Sequence, residues 1–145
     1  MTAAVANGGN VLVPHVVKEL LDAEGNVITL ARDTVARDLQ IDQRNIDIMR
    51  EAMRQVVDGG SGFTAAVRGV TVAGKTGTAE FGEEIAPGRD TEHGWFTGYA
   101  PFENPEVAVV VFLEQGNGSG TAAPAAAKIL DYYFNEYILA NEAGR

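Results

Sequence analysis

The chain of 145 residues contains no cysteine, which excludes disulfide bonds and cysteine-liganded zinc. Basic residues are scarce, because 11 lysines and arginines stand against 20 aspartates and glutamates, for a net charge of −9. So acidic a chain is a poor candidate for binding nucleic acid or an anionic membrane surface. The longest apolar run, residues 107–113, is far shorter than the roughly twenty residues that span a bilayer. We therefore expect no targeting or transmembrane segment within this chain.

Histidine is also rare. His15 and His93 lie far apart in the sequence, and neither belongs to an H-x-x-x-H pattern. Zinc and related metals are usually bound by such paired ligands. The sequence therefore predicts no metal site, and no pattern in it indicates a cofactor.

The most informative stretch is residues 72–80, VAGKTGTAE, which supports two different interpretations. Residues 69–76, GVTVAGKT, match the phosphate-loop pattern of a glycine, four residues and then G-K-[ST]. A P-loop NTPase would bind a nucleotide with magnesium. Alternatively, Lys75, Thr76 and Gly77 form the K-T-G motif of penicillin-recognising serine enzymes. A non-catalytic interaction module is the third possibility.

The surroundings of Lys75 favour the K-T-G interpretation. A phosphate loop must turn into a helix at its lysine, but Gly77 and Gly82 occupy the first turns of that helix. Each glycine would cost about 1 kcal/mol there relative to alanine. The residues before Gly74 are mostly β-branched and favour a strand. The pattern therefore predicts a strand over about 70–79.

The rest of the chain indicates the α+β class, an antiparallel sheet packed with helices. Further strands are predicted at 92–101 and 106–114, and the short turn between them predicts a hairpin, with Trp95 and Phe96 on opposite faces. A peripheral hairpin is predicted from 11–20 and 27–30. Helical spacing predicts one helix over about 45–57, capped by Asp42, and another over about 123–140. Their expected apolar stripes are Ile46, Met49, Met53 and Val56 in the first helix, and Ile129, Leu130, Tyr133 and Tyr137 in the second.

Several motifs then occur in a fixed order along nearly the whole chain. They are ANGG at 6–9, PHVV at 14–17, MREAMRQVV at 49–57, KTGTA at 75–79, HGWFTGYAP at 93–101, NPEVAVVV at 104–111 and GNGSG at 116–120. This ordered set resembles the C-terminal part of the transpeptidase domain of class B penicillin-binding proteins. The resemblance is nearest to the elongation type, penicillin-binding protein 2. It implies a peptidoglycan D,D-transpeptidase that cross-links stem peptides and binds β-lactams.

Two motifs of that family are absent. Its members carry S-x-x-K, with the nucleophilic serine, and S-x-N ahead of K-T-G. Ser61 and Ser119 are the two serines of this chain, and neither begins either motif. We therefore expect residues 1–145 to be the C-terminal portion of a single transpeptidase domain, inactive without the portion that carries the nucleophile. The resemblance places the membrane-anchored parent at the extracytoplasmic face of the bacterial inner membrane.

The resemblance assigns roles within the K-T-G strand. Lys75 and Thr78 are the catalytic candidates, because Lys75 supplies positive potential near the nucleophile and the Thr78 amide is an oxyanion-hole donor. Thr76, Gly77 and Thr78 are the substrate-binding candidates. Both threonine hydroxyls would bind the terminal carboxylate of the stem peptide or of a β-lactam, and Gly77 would let the substrate backbone approach the strand.

The resemblance also implies partners for the sheet. In the family the sheet has five strands, and the strand matching 106–114 pairs with one from the N-terminal portion of the domain. Without that portion, residues 107–113 would form an open apolar edge with no charge or proline. We therefore expect the isolated chain to self-associate through this edge, to swap strands, or to fold only beside a partner that completes the sheet.

Overall fold

The computed structural model describes residues 1–82 and 92–137. The helices are α1 (Thr2–Ala6), α2 (Gln43–Asp58) and α3 (Ala123–Asp131), and the strands are β1 (Asn10–Leu12), β2 (Glu19–Leu21), β3 (Val27–Leu30), β4 (Val35–Asp38), β5 (Ala73–Glu80), β6 (Glu92–Ala100) and β7 (Val107–Leu113). A 3-10 turn at Phe63–Ala65 and wider π-type turns at Gly118–Ala122 and Tyr132–Tyr137 complete the described elements. The α+β class expected from the sequence is confirmed.

The central sheet has the antiparallel order β5-β6-β7. The predicted hairpin of 92–101 and 106–114 is confirmed as β6 and β7, within a residue at each end. The first strand begins at Ala73, so the predicted start at residue 70 is wrong. Ala73 pairs with Tyr99 near the end of β6, and beyond it the Phe102 amide donates to the carbonyl oxygen of Thr71 at 2.8 Å without extending the strand. Val70 instead forms an isolated bridge with Val67.

One face of this sheet packs against α3 and forms the main core. Phe96 is completely buried there, together with Val109 and Val111 of β7. Trp95, its neighbour in β6, lies on the opposite face and is 41% exposed. The predicted division between these two aromatic residues is therefore confirmed, and the core residue is Phe96.

Helix α2 is confirmed at both ends. The Asp42 side chain accepts a hydrogen bond from the Arg44 amide at 2.8 Å, and Gly59 follows the last turn. The predicted buried stripe is shifted, because the buried residues are Ile46, Met53 and Val57, whereas Met49 is half exposed and Val56 is only partly buried. The inward position between Ile46 and Met53 belongs to Arg50, whose guanidinium donates to the carbonyl oxygens of Ala6 and Phe102.

Helix α3 begins as predicted, with Pro124 in its first turn. Its buried stripe consists of Ala123, Ala126 and Leu130. The predicted inclusion of Ile129 and Tyr137 is wrong, since both are about half exposed. The small alanine side chains allow α3 to lie close to the sheet, and Leu130 packs in the core while Ile129 faces outward. The α-helix ends at Asp131, earlier than predicted, and is followed by the π-type turn Tyr132–Tyr137. The predicted end, residues 138–140, lies outside the described residues.

The N-terminal region forms two small sheets. Strands β2 and β3 make the predicted hairpin around residues 22–26. The expectation that residues 11–20 form one strand of this hairpin is wrong, because β1 pairs with β4, a strand that the sequence did not predict. The exposed positions of β3 and β4 place this region at the periphery. Across residues 1–82 and 92–137, no helix combines the length and apolar character needed to cross a membrane.

A substitution at Gly74 tests how the K-T-G strand is fixed to the sheet. A Cβ added at Gly74 would lie 2.8 Å from Cε2 of Phe96 and 3.0 Å from the carbonyl oxygen of Thr97. Gly74→Ala should therefore lower the free energy of unfolding by about 1–3 kcal/mol, the usual cost of overpacking. Denaturant unfolding followed by circular dichroism would measure this change.

Gly59→Ala is the matched control. No atom lies within 4 Å of a Cβ at Gly59, and its φ of −170° is open to any residue. Gly59→Ala should change the free energy of unfolding by no more than about 0.5 kcal/mol. Equal effects of the two substitutions would show that Phe96 does not hold the strand in place.

Candidate active-site strand

The four residues predicted to form the site lie together on β5, but their side chains face two sides of the sheet. Successive side chains of a strand alternate, so Lys75 and Thr76 point in opposite directions. Lys75 is exposed and stands opposite Thr97 of β6. Thr76 is only 8% exposed, and Thr78 lies on the same face as Thr76 and is exposed. The strand therefore has a lysine side and a hydroxyl side.

The lysine side faces α1 and α2. Lys75 borders an apolar cavity of about 180 Å³, lined also by Met1, Thr2, Val5, Met49, Met53 and Thr97. The hydroxyls of Thr2 and Thr97 are 2.7 Å apart beside it. The Lys75 ammonium donates a hydrogen bond to the carbonyl oxygen of Thr76. An ammonium group has three N–H donors, so two donors of Lys75 remain available to a further acceptor on this side of the strand.

The hydroxyl side faces two turns. Oγ of Ser61, in the turn after α2, lies 2.7 Å from Oγ1 of Thr76. The Gly118 amide, in the turn after β7, donates to Oγ1 of Thr78 at 3.2 Å. On the hydroxyl side of β5, Thr76 and Thr78 are therefore each contacted by one polar group of a glycine-containing turn.

Gly77 is enclosed from both sides. A Cβ at Gly77 would lie 3.3 Å from Cβ of Trp95 on the lysine side. On the hydroxyl side, a Cβ at Gly118 would come within 2.7 Å of the Gly77 carbonyl oxygen. The Trp95 contact therefore restricts a side chain at 77, whereas the second contact requires glycine at 118.

This geometry contradicts the phosphate-loop alternative. Lys75 and Thr76 lie inside a strand of eight residues and not at the start of a helix. A phosphate loop needs amides that converge at a helix N-terminus, and β5 uses its backbone to pair with β6 in continuous register from Ala73 to Glu80. As for metals, residues 1–82 and 92–137 contain no group of three or more His, Asp or Glu side chains that could hold an ion.

Three residues beside this strand are not marked by the K-T-G pattern: Ser61, Thr97 and Gly118. Ser61 begins neither S-x-x-K nor S-x-N, and Gly118 belongs to the glycine-rich family motif at 116–120. Thr97 could have been found from the hairpin register, because it lies directly opposite Lys75. The serine within the G-G-S-G turn was a weaker signal, since such turns usually only end a helix.

Comparisons with known proteins identify the family of the chain. The family description "Penicillin binding protein transpeptidase domain" matches residues 1–131. The peptidoglycan D,D-transpeptidase MrdA of Acinetobacter baumannii is 34% identical over 141 residues, which cover 91% of this chain and 21% of MrdA. The peptidoglycan D,D-transpeptidase PbpA of Mycobacterium tuberculosis is 30% identical over 140 residues, covering 90% of this chain and 27% of PbpA.

Solved structures show the same fold. The imipenem acyl-enzyme complex of penicillin-binding protein A from M. tuberculosis superposes with a TM-score of 0.71 at 29% identity, covering 91% of this chain and 29% of that one. Penicillin-binding protein 2B of Streptococcus pneumoniae gives a TM-score of 0.76 at 28% identity, covering 92% and 23%. The chain thus spans about a fifth to a quarter of the length of the curated relatives cited. The family match extends over nine-tenths of the chain, and the chain therefore belongs to the penicillin-binding protein transpeptidase domain family.

Proposed function

We propose that this chain is the C-terminal portion of the transpeptidase domain of a peptidoglycan D,D-transpeptidase, and that it supplies the K-T-G strand of the active site. The observation that carries the proposal is the arrangement of Lys75, Thr76 and Thr78 on β5, which pairs with β6 alone among the described residues, with the cation on one side and two hydroxyls on the other. The relatives named D,D-transpeptidases and the acyl-enzyme complex of a structural neighbour support it.

The reaction needs a serine that this chain does not supply. The serine oxygen attacks the carbonyl carbon of the penultimate D-alanine, and the bond to the terminal D-alanine breaks as that residue leaves with a proton. An amine of a second stem peptide then attacks the resulting ester, forms the cross-link and releases the serine. A β-lactam acylates the same serine when its ring amide opens. The rest of the domain, as the partner of this chain, provides the serine at the extracytoplasmic face of the inner membrane.

The residues of β5 have separate tasks in this reaction. The Lys75 ammonium provides positive potential at the reacting centre and assists the proton transfer from the nucleophile. The Thr76 and Thr78 hydroxyls donate to the substrate carboxylate, and a hydrogen bond to a charged group contributes about 1.5–3 kcal/mol. The Thr78 amide stabilises the oxyanion, and loss of one such donor typically costs about 2.7–4 kcal/mol in the transition state.

A pair of substitutions in the complete protein tests the role of the lysine. Lys75→Ala should reduce the second-order rate of acylation by penicillin roughly 100-fold or more, because the charge at the reacting centre is lost. The rate would be measured from the growth of a fluorescent-penicillin adduct over time.

Glu80→Ala is the control, since Glu80 is an exposed residue at the far end of the same strand. Its rate should stay within about twofold of the wild type. If Lys75→Ala behaves like Glu80→Ala, the lysine is structural and the proposed role fails.

We also infer that the isolated chain self-associates through β7. Among the described residues, β7 pairs with β6 alone, and it carries no charge between Val107 and Leu113. Val110 is 65% exposed and Phe112 is 46% exposed on the face away from α3. An apolar strand with an unpaired edge is a template for pairing with another chain.

Light scattering of the isolated chain should therefore give a mass above that of a monomer. Val110→Lys should shift the mass toward the monomer, because a charge on an edge strand opposes pairing. Ile28→Lys, at an equally exposed position of the peripheral strand β3, should leave it unchanged. A wild-type chain that stays monomeric would refute this inference.

A further inference from the structure

The hydrogen bond between Ser61 and Thr76 limits how the Thr76 hydroxyl can point. A hydroxyl has one hydrogen to donate, and the two oxygens at 2.7 Å share one such hydrogen between them. Thr76 is 8% exposed, so little water can replace the serine. When Thr76 donates its own hydrogen to a carboxylate, Ser61 must be the donor in the pair. Ser61 thus completes the hydrogen bonding of the threonine oxygen.

The Gly118 amide acts on Thr78 in the same way. An amide can only donate, so Oγ1 of Thr78 is the acceptor in the 3.2 Å contact. The hydroxyl hydrogen of Thr78 is then left for another acceptor, and Thr78 is exposed. This contact requires a close approach, since a Cβ at Gly118 would lie 2.9 Å from Cβ of Thr76.

The turn after α2 and the turn after β7 are hydrogen-bonded to each other on the hydroxyl side of β5. Oγ of Ser119 donates to the carbonyl oxygen of Ser61 at 2.5 Å, and Oγ1 of Thr64 donates to the carbonyl oxygen of Ser119 at 2.7 Å. The side chain of Asn117 accepts from the Gly120 amide at 2.6 Å and closes the second turn. Ser61 and Gly118 are therefore held in fixed positions relative to each other.

We propose that Ser61 and the Gly118 amide are positioning groups, which orient the hydroxyl hydrogens of Thr76 and Thr78 toward the carboxylate of the substrate. This inference rests on the proposed function and deepens it. It extends the carboxylate site from one strand to three segments of the chain: β5, the turn after α2 and the turn after β7. Because the groups act on carboxylate recognition, their loss affects substrates that carry this carboxylate and spares those that lack it.

The test compares two β-lactams on the complete protein, benzylpenicillin and its methyl ester, with adduct formation followed by intact-mass spectrometry. Ser61→Ala should slow acylation by benzylpenicillin about tenfold, the order expected for weakening a hydrogen bond to a charged group. The acylation rate with the methyl ester, which is already lower in the wild type because the carboxylate is missing, should change less than about twofold. Ser61→Thr restores a hydroxyl at this position and should recover most of the benzylpenicillin rate.

Gly118→Ala provides a second, independent variant. A side chain there moves the turn away from Gly77 and Thr76, so the preference for benzylpenicillin over the ester should again fall. Thr34→Ala is the control. Thr34 is an exposed threonine, and its hydroxyl donates a hydrogen bond to the carbonyl oxygen of Arg32, two residues away in the same segment. For Thr34→Ala, the acylation rates with benzylpenicillin and with the methyl ester should both match those of the wild type. Thermal unfolding of each variant reports stability separately.

The outcomes separate this inference from the proposed function. Equal losses with both β-lactams in Ser61→Ala, or no loss with either, would overturn the positioning role alone. A wild-type protein that forms no penicillin adduct would overturn the proposed function and this inference with it. A loss confined to benzylpenicillin and recovered in Ser61→Thr supports the positioning role.

Discussion

The packing of the Phe96 ring against glycine backbone is the constraint on which the rest of the structure depends. Side chains at Gly74 and Gly98 would come within 3 Å of this ring, so both flanking positions must lack a Cβ. The buried ring then fixes β5 beside β6 and gives α3 a surface on which Ala126 and Leu130 pack. The position of the K-T-G strand is therefore set by the hydrophobic core directly beneath it.

The two faces of this strand carry different functional groups. The lysine side carries the exposed Lys75 ammonium at the border of an apolar cavity. The hydroxyl side carries Thr76 and Thr78, supported by the turns at Ser61 and Gly118. In the proposed function, the alternation of side chains along one strand separates proton handling from carboxylate recognition by a single peptide unit.

The main elements of the fold could be predicted from the sequence because their signals are local. The β-branched runs, the Asp42 cap and Pro124 each act on their own segment, and α2, β6, β7 and the start of α3 followed from them. The buried stripe of α2 could not be predicted, because Arg50 turns inward to reach backbone carbonyls of distant segments. Likewise, the pairing of β1 with β4 joins short strands about 25 residues apart without a recognisable turn.

The site was predictable in part for the same reason. The lysine and threonines of K-T-G are contiguous, so the pattern located all of them on one strand. Ser61 and Gly118 reach this strand only through tertiary contacts across 15 and 40 residues of sequence. No local pattern marks a hydroxyl or an amide that will support a residue so far along the chain.

The central claim is that this chain contributes the K-T-G strand while the nucleophile lies elsewhere in the same protein. The most direct measurement is to label the complete protein with penicillin, digest it and identify the acylated residue by mass spectrometry. The account predicts a single acylated serine outside residues 1–145, and no label on the isolated chain. Acylation of Ser61 or Ser119, or a complete protein that takes up no penicillin, would contradict it.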